Sequence, residues 1–62
     1  MEHVMADFHC RNQNFTKKCK SVNEALWIAE TESVIHGECV VWICVEHICR
    51  TFKNGVIIMS NF

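Results

Sequence analysis

The first twenty residues alternate apolar and polar positions in the manner of a strand pair. Val4, Ala6, Phe8 and Cys10 alternate with Met5, Asp7 and His9. After the polar stretch Arg11-Asn12-Gln13-Asn14, the run 15–20 sets Phe15, Lys17 and Cys19 against Thr16, Lys18 and Lys20. Successive side chains of a strand point to opposite faces, so the pattern predicts a β-hairpin with a polar four-residue loop.

The periodicity then changes from two to about 3.6. Ser21-Val22-Asn23-Glu24 fits a capping box, in which the Ser21 hydroxyl accepts from the Glu24 N–H and the Glu24 carboxylate accepts from the Ser21 N–H. Good helix formers follow, and His36-Gly37 supplies a basic residue for the negative end of the helix dipole and a glycine for a left-handed cap. A helix is predicted over 22–36. Val22, Ala25, Leu26, Ala29 and Ser33 fall on one stripe with Ile28 at its border, while Trp27 and Val34 point elsewhere.

Beyond Gly37, the run Cys39–Val45 is β-branched and aromatic on both parities, as expected of a central strand. Residues 48–52 and 56–60 read as two short strands around Lys53-Asn54-Gly55, where Asn-Gly supplies the positive φ of a tight hairpin turn. Val45-Glu46-His47 is either a turn or part of one long strand, which leaves two or three strands in this half. The expected fold is α+β: a single domain, 1–62, of β-β-α-β-β order with a small antiparallel sheet packed on one α-helix. If Val41, Ile43 and Val45 lie under the helix, Val40, Trp42 and Cys44 lie on the opposite face, which one helix cannot cover. That face is then either an association surface or is crossed by the N-terminal segment.

Composition narrows the class. Half of the residues are hydrophobic, 21 % are charged and the formal net charge is −1, values that fit neither a disordered acidic chain nor a bulk polycation. No apolar run approaches the ~18 residues of a membrane span, and residues 1–10 lack a basic n-region followed by an apolar stretch, so a soluble, cytoplasmic protein is expected. Two glycines and no proline leave little room for long irregular loops. The odd count of five cysteines fits buried free thiols in a reducing compartment better than a disulfide framework.

Two constellations bear on chemistry. Cys44-x-x-His47-x-Cys49, with Cys39 upstream, offers ligands that zinc prefers. Strand alternation sends Cys44 and His47 to opposite faces if the strand runs through both, so these residues read as small buried hydrophobes and a surface histidine, with no metal or cofactor implied. His9-Cys10 and His47-Ile48-Cys49 place imidazole near thiol in sequence, but adjacent strand residues point apart and no phosphate loop or oxyanion nest is present. No enzymatic activity is expected.

Charge is segregated along the chain. Arg11, Lys17, Lys18 and Lys20 form a basic stretch without an intervening acid, and Glu24, Glu30, Glu32 and Glu38 form an acidic one without Lys or Arg. With the two tryptophans, these define a candidate partner-binding set: Arg11, Lys17, Lys18, Lys20, Trp27, Glu30, Val34 and Trp42. A solvated polar surface accounts for the same charges equally well.

The succession of a basic hairpin, Ser21-x-x-x-Ala25-x-x-Ile28-Ala29, His36-Gly37, a hydrophobic strand and a final hairpin resembles the small phage-encoded proteins of β-β-α-β-β design, some anti-CRISPR inhibitors of type I surveillance complexes among them. The resemblance covers most of the chain at the level of pattern. It implies a viral inhibitor that binds a host protein or ribonucleoprotein complex by surface charge and aromatics, without catalytic residues, and works in the bacterial cytoplasm. Lys17, Lys18 and Lys20 match its basic strand surface, and the five cysteines match no part of it. The alternatives are a nucleic-acid-binding regulatory module using the basic hairpin and a zinc-stabilised Cys/His module, and a homodimer through the uncovered sheet face is compatible with each.

Overall fold

The computed structural model describes residues 3–60. Five strands, β1 (Val4–Cys10), β2 (Asn14–Cys19), β3 (Glu38–Ile43), β4 (Ile48–Lys53) and β5 (Val56–Ser60), form one antiparallel sheet of order β2-β1-β3-β4-β5. One helix, α1 (Val22–His36), lies on one of its faces. The fold is the expected α+β arrangement, with three strands after the helix. Because β2 and β3 both run antiparallel to β1, they are parallel to each other, and the β2–α1–β3 connection passes over β1.

Both helix ends follow local chemistry. The Ser21 hydroxyl accepts from the Glu24 N–H at 3.2 Å, but the Glu24 carboxylate reaches the N–H of Lys20, one residue earlier than a reciprocal capping box requires. At the other end Gly37 has φ 91°, a conformation without penalty only for a residue lacking Cβ.

The helix turns small residues toward the sheet, which supplies the larger ones. Ala25, Ala29 and Ser33 are fully buried on the helix, with Val22, Leu26 and Ile28 half-buried at the margins. Beneath them lie Ala6, Phe8, Cys10, Cys19, Cys39, Val41, Ile43 and Phe52. Phe8 stacks on its cross-strand neighbour Phe15, ring centroids 4.9 Å apart. Ser33 fixes the last hairpin to the helix: its hydroxyl donates to the Glu30 carbonyl at 2.7 Å and accepts from the Gly55 N–H at 2.8 Å. The β4–β5 turn is the expected Asn54-Gly55 pair, with φ of 51° and 86°.

One stretch departs from expectation. The central strand ends at Ile43, and Cys44–Glu46 form a 3₁₀ turn closed by His47 in the left-handed region, whose N–H donates to the Cys44 carbonyl at 3.0 Å. Ile43 pairs with Ile48, so the four intervening residues must reverse the chain. Val45 is consequently 74 % exposed rather than under the helix, and Cys44 is in the exposed turn rather than on the open sheet face. The N-terminal segment does not cross that face, since β1 and β2 are themselves strands of the sheet. Helix on sheet gives a body 15 Å deep in its shortest dimension, one layer each.

Candidate interaction surfaces and a thiol cluster

Strand alternation decides which side chains the helix leaves uncovered. Across the open face, Thr16, Asp7, Trp42 and Cys49 form one row of register partners, and Asn14, His9, Val40, Thr51 and Met59 form the next. Thr16 donates to Asp7 at 2.7 Å, which occupies the Asp7 carboxylate within the row. Trp42 lies near the middle of this face, 45 % exposed, with Met5 and Met59 exposed toward its margins. This is the uncovered face that the alternation of residues 40 and 42 implied.

The sheet has a second apolar feature that charge and aromatic content did not single out. The edge strand β5 presents Val56, Ile57, Ile58 and Met59, all exposed, beside a free row of backbone donors and acceptors. Ile58 is the additional residue opposite the Thr51–Phe52 step, where the β4–β5 register shifts. An uncharged run of β-branched residues in a terminal hairpin was the available signal, but only the strand order shows that it is an edge.

The candidate partner-binding residues disperse. Lys18 pairs with Met5 and faces the open side, Lys17 pairs with Ala6 and faces the helix side of the β2 edge, and Lys20 lies at the entrance to α1. Arg11 is at the other end of the hairpin, its guanidinium carbon 3.7 Å from where a Cβ on Gly37 would stand, over the negative end of the helix. The basic stretch is thus not one patch. The acidic stretch divides too: Glu24 caps the helix, Glu32 pairs with His36, Glu38 opposes Lys53, and Glu30 faces solvent. Trp27, Glu30 and Val34 share the outward side of α1, where Trp27 is 63 % exposed, but they are separated from Trp42 by the thickness of the domain.

Four of the five cysteines fall into two groups, and Cys19 is buried apart from both. Cys44 is exposed in the turn, His47 is exposed beside it, and Cys49, the partner of Trp42, faces away from Cys39. Cys10 and Cys39, in contrast, are register partners on the helix-covered face with their sulfurs 3.3 Å apart. Glu32 and His36, one helical turn apart, meet at 3.1 Å, and donor atoms of Cys10, Glu32 and His36 all lie within 4.8 Å of one another. Burial, the contact with Cys10 and the nearby Glu32 carboxylate push the Cys39 thiol from an ordinary 9.0 up to about 12. Burial first, then Glu24, also raises the Cys19 thiol.

Both buried thiols hold their protons more tightly folded than unfolded. Above pH 9.0 the unfolded chain therefore binds fewer protons than the native one, and stability that is fully present below 9.0 declines as pH rises toward 12. Denaturation midpoints on either side of pH 9, in chelator-containing buffer, should fall with pH in the wild type and fall less steeply in Cys39→Ala. Equal slopes would remove Cys39 from this account.

No family model, curated protein or solved structure matches this chain. Among the described residues, no helix is long and apolar enough to cross a membrane.

Proposed function

We propose that this chain is a non-catalytic binding protein that docks a protein partner along the β5 edge and the adjoining open sheet face. The observation that carries the reading is the uncharged Val56–Met59 edge next to a face with Trp42 near its middle. An edge strand offers main-chain hydrogen bonds to an added strand, and exposed apolar side chains offer the area that makes such pairing specific. A protein segment fits this chemistry better than nucleic acid, because Arg11, Lys17, Lys18 and Lys20 point in different directions and form no continuous track for a phosphate backbone.

The pattern-level resemblance to small phage-encoded inhibitors supports a component of a bacterial host complex as the partner and the host cytoplasm as the compartment. Five free thiols accord with that reducing environment. A viral inhibitor of this kind acts by occupying a surface.

The test is a partner recovered from the host with tagged protein and then measured against purified variants. Ile58→Lys and Trp42→Glu, each folded by circular dichroism, should weaken the complex by at least about 10-fold, as truncating a central contact does. Reversal of Lys17, Lys18 and Lys20 should chiefly slow association at low salt. A wild-type dimer that Ile58→Lys converts to monomer would place a second copy on this edge. RNA or DNA binding that collapses with salt and survives both apolar substitutions would select the nucleic-acid alternative.

A further inference from the structure

Four potential ligands meet where the end of β1, the start of β3 and the last turn of α1 come together. Cys10 and Cys39 arrive from neighbouring strands with their sulfurs 3.3 Å apart, while Glu32 and His36 arrive from one side of the helix with oxygen and nitrogen 3.1 Å apart. Cys10 joins the two pairs, since its sulfur lies within 4.8 Å of the Glu32 and His36 donor atoms. We propose that Cys10, Cys39, Glu32 and His36 form a tetrahedral zinc site that ties the helix to the sheet.

The donor set favours this ion. Two thiolates and an imidazole are ligands of choice for zinc and poor ones for magnesium or calcium, which take oxygen. The spacing within each pair is also close to what an ion needs. With bonds of roughly 2.3 Å to sulfur and 2.0–2.2 Å to nitrogen and oxygen, a tetrahedral centre holds two sulfurs about 3.8 Å apart and a nitrogen and oxygen about 3.4 Å apart. The Cys pair must open by roughly half an ångström and the Glu–His pair by less, and the Cys39 sulfur, which lies outside the group of donor atoms within 4.8 Å of one another, must swing toward Glu32 and His36. Glu32 and His36, 23 % and 20 % exposed, have room to make their part of the adjustment by side-chain rotation.

Local sequence supports the site once the fold is known. Glu32-x-x-x-His36 places two ligands on adjacent helical turns, and His36-Gly37-Glu38-Cys39 carries the third ligand around the left-handed glycine. Two ligands flanking one tight turn are a common zinc-binding arrangement. Arg11, next in chain to Cys10 and packed over Gly37, sets a fixed positive charge beside a centre whose three anionic ligands exceed the charge of the ion. Binding expels the thiol protons, because a coordinating thiol is deprotonated outright. The earlier sequence candidates, Cys44, His47 and Cys49, lie outside this group.

The site goes beyond the binding function and is tested without a partner. The reduced full chain should take up one Zn²⁺ per molecule, melt at a higher temperature when loaded, and show thiolate-to-metal charge transfer with Co²⁺ in its place. Cys10→Ser with Cys39→Ser should abolish that absorption. Because those thiols are buried, the deciding variants are His36→Gln and Glu32→Gln, whose partly exposed side chains can change without unfolding the domain. Each should weaken Zn²⁺ binding by at least about 10-fold, the effect reported even for groups that merely support ligands. A triple variant Cys44→Ser, His47→Gln, Cys49→Ser should bind as the wild type does. No stoichiometric uptake by the folded chain, undiminished affinity in both helix variants, or loss of binding in the triple variant would each overturn the assignment.

Discussion

Phe8→Ala should remove most or all of the stability of this domain. Phe8 is fully buried in the middle of the sheet, under the helix, and its ring stacks on Phe15. Deleting a buried phenylalanine side chain typically costs about 3–5 kcal/mol, transfer and cavity together. A chain of 62 residues, at roughly 0.05–0.15 kcal/mol per residue, has about 3–9 kcal/mol in total. Urea denaturation followed by tryptophan fluorescence should show the variant largely unfolded, or with its midpoint far below that of the wild type. A loss under about 1 kcal/mol would mean that Phe8 is not at the centre of the core.

The second large effect is expected from Ser33→Ala, a change of one oxygen. That hydroxyl is the acceptor of the Gly55 N–H and is itself fully buried, so its removal deprives a turn amide of its partner. A fully buried unsatisfied group costs about 1–3 kcal/mol, which for this part-buried amide is an upper bound, and the loss should localise. Amide exchange at Gly55 and along β5 should speed up more than exchange in β1 or β3. Uniform acceleration across the sheet would show that the hydroxyl contributes to global stability without holding the hairpin to the helix.

Where local chemistry fixes the structure, the sequence was informative. Ser21 and Gly37 bound the helix because each solves a backbone problem at its own position, and Asn54-Gly55 makes its turn by the same kind of rule. The apolar faces of β1 and β3 were legible because alternation is a property of the strand itself. The turn after Ile43 was not, since Cys44, Val45 and Glu46 carry no turn-specific chemistry and the reversal is imposed by the pairing of Ile43 with Ile48. The basic stretch looked like one patch because neighbours in sequence were treated as neighbours in space, whereas Lys17 and Lys18 face opposite sides and Arg11 packs over the helix end. The meeting of Cys10 with Glu32, His36 and Cys39 depends on β1 lying between β2 and β3, a matter of strand order that no spacing along the chain encodes.

The two margins of the sheet differ in a way that limits how it can assemble. β5 is uncharged and apolar, while β2 at the opposite margin carries Lys17 and Lys18. Charged lysines on an edge discourage another strand from adding there. Growth by strand addition therefore has one permissive end. When a partner strand, or the β5 of a second molecule, takes that position, what remains outward on this chain is the lysine-bearing margin, and extension stops. The register shift at Ile58 further confines a guest strand to one side of the irregularity or the other. Such a particle should form complexes of fixed stoichiometry rather than filaments, even at concentrations that saturate its apolar edge.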